Sequence, residues 1–458
     1  MRQPYRIEAI ALKDVGVFDD IRIDFPMISS EERDADKAEI HLFTGPNGCG
    51  KSTLLYALAE MFDIPSLSSL VKQRFRNQNS VVDFKFANEP GIYCVSKPAV
   101  LANEFGTYAL IRDDPSNGSF FGAASTPASS IGANLASYKS AVFTFNPTQL
   151  HSQTRFAFAA FAYSGQRTLN NVAIGAIQEV TNSPFENALS FDATVRPRLL
   201  LQWIANNRTK AALARADHDD AAAHRYDQAL ERITDAITEI SGMAIEFRLE
   251  RSPLAVTVRL NDDVIQFDGL PDGLKSIISW IADLSMRLES IPWVENSEDV
   301  FTQPIILFLD EIDIHLHPKW QRRILPTVQR LFPNAQIFVS THSPFVVASV
   351  EDACVYRLPE KGTQGNRIIE PLPSGGGKSY RLILEEIFGI DEEFDIETET
   401  LFDRFYELRD EFLRSPGKTE SLRDAARLLA AKSSEARAIA ERELRQVSRV
   451  SGVEIALV

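Results

Sequence analysis

Cysteine is scarce: Cys49, Cys94 and Cys354 are the only three in 458 residues, scattered and without metal-ligand spacing. That excludes a disulfide framework and a zinc site. Long apolar runs are missing as well. No stretch of about 18 apolar residues offers a membrane-spanning helix. Met1-Arg2-Gln3-Pro4-Tyr5-Arg6 leads into a strand pattern rather than a signal peptide, so the expected address is cytoplasmic. Positive charge is in deficit too. A net charge of -15 and a pI near 5.1 exclude a nucleic-acid coat over the whole surface, though not a local basic groove. At 44% hydrophobic residues there is material for a large core, and the length predicts two or three domains.

What is present centres on Ile40 to Thr53, which reads as an apolar strand, a glycine-rich turn and a helix start. Gly45-Pro46-Asn47-Gly48-Cys49-Gly50-Lys51-Ser52 fits G-x-x-x-x-G-K-[ST] without a gap, and Thr53 continues into the helix. In that pattern backbone N–H groups cradle phosphate oxygens, Lys51 reaches the β/γ-phosphates and the Ser52 hydroxyl ligates Mg²⁺. Leu54, Leu55, Leu58, Met61 and Phe62 give the helix one apolar face, which aims its N-terminus at the phosphates.

Two further runs end in chemistry. Ile305 to Leu309 is continuously apolar, as in a buried parallel strand, and exits into Asp310-Glu311. Such a pair is costly to place at a buried strand end without a task. Asp310 suits Mg²⁺ through water, and Glu311 suits a residue that polarises the attacking water. Ile337 to Ser340 is a second such strand, ending in Thr341-His342-Ser343-Pro344, where His342 is placed to donate to a γ-phosphate. The turn at Asp272-Gly273, with Lys275 one turn on, opens another amphipathic helix and is a third anion-facing N-terminus. His315 and His317 stand too isolated for a metal and read as hydrogen-bonding residues. Lys72, Arg74 and Arg76 read first as a solvated edge and second as a phosphate or nucleic-acid contact.

Taken in order, the phosphate loop, Leu270 to Lys275, Asp310 to Asp313 and Ser340 to Pro344 resemble those of ABC- and SMC-like ATPases. The stretch from Lys51 to Gly273 is longer than a transporter's nucleotide-binding domain usually carries. The segments 310–323 and 332–344 look like the OLD-like AAA family ATPases of phage-defence systems. The stretch Tyr380 to Ile390 looks most like the Septu-type ATPase PtuA, also found with some retrons. The fold this implies is an α/β P-loop ATPase head of ABC/SMC type, a mixed sheet with helices. The expected layout is a head at 1–358 with a β-rich lobe at 63–165 and a helical insertion at 197–241, a linker at 359–378, and a helical appendix at 379–458 with apolar faces open to a partner.

The resemblance implies ATP and Mg²⁺ as cofactors. It places Gln166, at the end of the strand 155–163, on Mg²⁺ and the attacking water, with Arg167 beside it as a phosphate contact. It also implies a homodimer or higher homo-oligomer with ATP between heads, a separate effector such as an HNH nuclease or another toxin, and no membrane partner. Contact with DNA or nucleoprotein stays open. Two departures count: Pro271 stands where transporters carry the signature serine, which implies slow turnover, and His317 stands where many SMC-like proteins carry an Asp. The competing reading is a DNA-repair ATPase of RecF or SMC type that acts on DNA itself. A nuclease within the chain is disfavoured, because 351–458 lacks the strand-Glu then strand-Asp-x-Asp pattern.

Overall fold

The computed structural model describes residues 6–27, 37–63, 70–77, 80–86, 92–96, 102–103, 106–114, 119–124, 138–147, 155–165, 174, 176–360 apart from 296 and 298, and 368–457 apart from 376 and 416–418. It divides into two units, Met1–Ile383 and Leu384–Val458.

The first unit holds two large sheets and a smaller third. Strands β1 (Ile7–Val15) and β2 (Phe18–Asp24) form an antiparallel hairpin, while β3 (Glu39–Thr44) turns into the phosphate loop. Strands β4 (Val81–Phe86), β5 (Ile92–Ser96), β6 (Ala102–Asn103), β7 (Gly106–Asp114) and β8 (Ser119–Ala124) do not make a separate lobe. They extend the β1–β2 hairpin into an eight-stranded sheet, whose last member is β16 (Ile368–Ile369) beside β2. The second sheet runs β17-β15-β3-β14-β13-β9, with β9 (Ala159–Tyr163), β13 (Ile305–Leu309), β14 (Ala335–Ser340), β15 (Ala353–Arg357) and β17 (Leu372–Pro373). Its strands are parallel except for β17. Every residue of β3, β9, β13 and β14 is buried; β9 and β13 read as unbroken apolar runs for that reason, while β3 and β14 also bury Glu39, His41 and Gln336.

Where the two sheets meet, polar groups are buried but paired. The Arg6 guanidinium bridges Glu39 and the Phe25 carbonyl, Glu39 also meets His41 Nε2 at 2.7 Å, and His41 Nδ1 lies 3.2 Å from Tyr356 Oη. Tyr356 donates to the Asp24 carbonyl at 3.1 Å. The Gln336 amide accepts from the Ile7 N–H at 2.8 Å and donates to the Ile7 carbonyl at 2.9 Å. Burial alone would raise the Glu39 pKa, but His41 and Arg6 outweigh it and hold the carboxyl at about 2.

Within the stretch 359–378, expected as a linker, the described residues 368–369 and 372–373 are strands of the two sheets. β16 adds to one sheet and β17 to the other, because Ile368, Ile369 and Leu372 sit at strand spacing between the turn residues. Two helices follow β9, α2 (Pro197–Ala216) and α3 (Asp220–Ser241), with Asp219 capping the second and a left-handed Gly242 ending it. A three-stranded antiparallel sheet follows from β10 (Ile245–Arg251), β11 (Leu254–Leu260) and β12 (Asp263–Ile265), and then α4 (Asp272–Glu289).

The second unit holds α8 (Ile396–Arg414), α9 (Thr419–Lys432) and α10 (Ser434–Ser451). The apolar face that the sequence leaves open to a partner is consumed here: Phe402, Phe405, Leu408 and Phe412 pack on Leu422, Leu429 and Leu444. An amphipathic pattern specifies that a face is buried, not what buries it.

Candidate functional site

Four neighbouring strands of the parallel sheet bring their carboxyl ends together. Leu309 pairs with Tyr163 on one side and Val339 on the other, and Ser340 pairs with Phe43. The residues that follow each strand therefore share one rim, the place where open α/β sheets bind ligands. On it lie Gly45 to Thr53 after β3, Ser164-Gly165 after β9, Asp310-Glu311 after β13 and Thr341-His342 after β14.

The phosphate loop needs its glycines for two reasons. Gly45, Gly48 and Gly50 take φ of 146°, 77° and 103°, a region that L side chains rarely adopt. A Cβ on Gly50 would also stand 2.4 Å from the Phe18 ring. Gly50 then caps α1 (Lys51–Glu60). Lys51 is buried, and its ammonium donates to the carbonyls of Gly45 and Pro46, each at 3.0 Å, with Cys49 Sγ at 3.7 Å. Its charge is thus held at the loop's own mouth. Asn47 is exposed on the loop, while Ser52 and Thr53 occupy the first turn of α1.

The acids are fixed by the next strand. Ser340 Oγ donates to Asp310 Oδ1 at 2.5 Å and accepts the Glu311 N–H at 2.7 Å. The Asp310 N–H donates to the Tyr163 carbonyl at 2.8 Å. Glu311 has φ of 50°, and Gly165 lies so close that a Cβ there would come within 2.6 Å of the Glu311 carbonyl oxygen. Burial and the neighbouring Asp310 and Asp313 raise the Glu311 pKa against the pull of Lys51. His342 is shifted the other way, by burial and then by Lys51, which favours its neutral ring. Thr341 Oγ1 donates to Asp313 at 2.7 Å, and Ser343 caps α6 (Pro344–Val347).

Sequence reasoning missed a second wall of this rim. Tyr56, one turn along α1 from Ser52, has a pKa pushed up to about 12 by burial and then by the charge of Asp310, with Asp192 and Glu311 adding. The Arg74 guanidinium lies 4.4 Å over its ring, and Phe191 meets the ring edge-on at 4.5 Å. The i, i+4 spacing from Ser52 was the one available signal. The basic cluster is spent internally: Arg74 on Tyr56, Lys72 on Glu60, and Arg76 on Asp14 and Asp19.

Asp272, Gly273 and Lys275 lie elsewhere. They sit at the start of α4 with Lys275 reaching Asp272 at 3.4 Å, and a Cβ on Gly273 would meet the His315 carbonyl at 2.7 Å and the Trp320 ring at 2.9 Å. The neighbours of Asp272 and Gly273 are Ser241, Met243, His315, His317, Lys319 and Trp320, around a hollow of about 630 Å³. His317 caps α5 (Pro318–Leu331) by accepting the Lys319 N–H, a hydrogen-bonding role. Gln166 and Arg167 lie outside the described residues.

The donor set fits the expected cofactors. Left-handed glycines, a helix N-terminus and the Lys51 ammonium make an anion cradle, and the Ser52 hydroxyl with the Asp310 carboxylate supplies the hard oxygens that Mg²⁺ takes.

Parts of the chain match known families and proteins. A family model described as an AAA domain, with the AbiEii toxin of type IV toxin–antitoxin systems in its description, matches residues 153–348, and a second AAA domain model matches 5–86. The chain is 24% identical to the Retron Ec83 probable ATPase of Escherichia coli over 77% of its own length and 71% of that protein's. It is 30% identical to the Septu protein PtuA of Bacillus mycoides over 31% of its length and 19% of the relative's. Among solved structures, an Smc head bound to the C-winged helix domain of ScpA aligns at 12% identity with a TM-score of 0.43, covering 80% of this chain and 98% of that one. The resemblance to retron and Septu ATPases drawn from the motifs is borne out by these relatives.

Proposed function

We propose that this chain binds ATP with Mg²⁺, hydrolyses it slowly, and through nucleotide-dependent pairing of two copies controls a separate effector, a nuclease or toxin, in antiviral defence. The observation that carries the hydrolytic reading is the shared rim: Lys51, Asp310, Glu311 and His342 stand on adjacent strand ends, and the charge of Lys51 acts on both Glu311 and His342. Loop N–H groups and Lys51 hold the phosphates, with Gly45, Asn47, Gly48, Cys49, Gly50 and Thr53 shaping the cradle. Ser52 and Asp310 would hold Mg²⁺, which would supply charge neutralisation to the phosphates. Glu311 takes a proton from the attacking water, and neutral His342 donates to the γ-phosphate from the third strand.

Asp272, Gly273 and Lys275 then serve the nucleotide of a second copy, which accounts for their place away from their own phosphate loop. Pro271 offers that nucleotide no hydroxyl, in keeping with slow turnover. The defence setting is supported by the relatives' names, retron ATPase and Septu protein.

Calorimetry with ATP on Lys51→Ala tests the cradle: binding is lost, and retained affinity would remove the assignment. Glu311→Gln keeps ATP but traps the nucleotide-bound dimer, seen as a stable doubled mass with hydrolysis abolished. In the parent protein the rate falls as pH drops through the raised Glu311 pKa, above the ordinary carboxylate range, because only the ionised form accepts the proton.

A further inference from the structure

Roughly three turns along α4 from Gly273 lies a charge cluster that no step above uses. Asp283 and Arg287 have no exposed side-chain surface. Arg287 Nε donates to Asp283 Oδ2 at 2.6 Å, and the Tyr163 hydroxyl, at the end of β9, donates to the same oxygen at 2.9 Å. The other Arg287 nitrogens donate to the carbonyls of Pro184 at 2.5 Å, Glu186 at 2.9 Å and Thr194 at 2.5 Å. Asp283 Oδ1 accepts the Arg196 N–H at 3.3 Å.

An ion pair this deep is a poor device for stability alone, since apolar residues of similar volume commonly do as well. What distinguishes this one is where its hydrogen bonds go. Tyr163 is the residue whose carbonyl receives the Asp310 N–H. The segment between Pro184 and Thr194, clamped by Arg287, carries Phe191 against Tyr56. It also carries Asp192, whose charge bears on both Tyr56 and Glu311. One cluster on α4 therefore grips the strand that supports the acid pair and the segment that faces it.

We infer that Tyr163, Asp283 and Arg287 are positioning residues for ATP hydrolysis, tying the helix that begins at Asp272–Gly273 to the placement of Asp310 and Glu311. This rests on the hydrolytic reading proposed above. Engagement of the helix start reaches the acids through buried hydrogen bonds, so the cluster sets turnover rather than nucleotide affinity. A displacement of about 1 Å of a reacting group is enough to cost on the order of a hundredfold in rate.

The test uses the full-length protein and measures ATP turnover, nucleotide affinity and thermal midpoint for Tyr163→Phe and Asp283→Asn, with Lys51→Ala as the baseline. Tyr163→Phe keeps the ring and removes only the hydroxyl, so it remains informative where Asp283→Asn fails to fold. The expected result is a kcat lower by roughly tenfold or more, with KM and affinity within about twofold of the parent and Tyr163→Phe melting as the parent does. Parental kcat in Tyr163→Phe overturns the inference. So does a parallel fall of kcat, affinity and midpoint, which marks a structural cluster only. A parent protein that turns over no faster than Lys51→Ala removes the hydrolytic reading itself, a distinct outcome.

Discussion

The two units of this chain bury different things. In residues 1–383 the interior includes charge: Arg6 with Glu39 and His41, Asp283 with Arg287, and Asp310 under Ser340. In residues 384–458 the three helices enclose an apolar core, and ion pairs such as Arg404–Glu407 lie in solvent, 63% and 69% exposed. Buried charge is costly and stays where its partners give it a task, whereas a bundle needs only matching faces. The contrast separates the part that does chemistry from the part whose stability is its packing.

The contrast breaks most readily at Phe405, fully buried in the helical unit. Phe405→Ala is expected to cost about 3–5 kcal/mol and to loosen the three helices, read by hydrogen exchange over 396–451. ATP affinity of the full chain should stay unchanged, and a concurrent loss would show that the units depend on one another. The next effect is set by Glu39. Its pKa is depressed, so the stability it contributes is present above the ordinary carboxylate pKa and is lost as pH falls towards about 2. The head should lose on the order of 3 kcal/mol across that window, measured by denaturant unfolding at stepped pH. Glu39→Gln should flatten that pH dependence, and an unaltered slope would move its origin elsewhere. The smallest effect sharpens the comparison from the other side: Arg404→Ala should shift stability by no more than about 0.5 kcal/mol, because an exposed pair is worth little.

Much of this was legible in the sequence where the signal is local. The phosphate loop and the runs ending at Asp310 and His342 each declare themselves within a dozen or so residues. What joins distant segments did not. β4 to β8 read as a β-rich lobe of their own because nothing in their sequences names β1 as the strand they extend. Tyr163 and Asp283 are 120 residues apart, and neither stands out until the fold brings them to 2.9 Å. The apolar stripe around Phe405 promised burial, but its partners on α9 and α10 are chosen by tertiary packing. Tyr56 was hidden because it stands off the apolar face of α1, on the side of Ser52.

The route of the chain after β15 decides where the protein can be divided. The short helix Tyr380–Ile383 belongs with the first unit: Ile383 is fully buried and lies so close to Gly375 that a Cβ there would come within 2.5 Å of it, and the Tyr380 ring sits 4.8 Å from Phe345. A gene fragment ending at Lys378 would therefore yield an ATPase module with an open apolar wound beside the helix that follows His342. Ending it at Ile383 keeps that surface covered, so a choice of five codons separates a fragment fit for crystallisation or binding assays from one prone to aggregate.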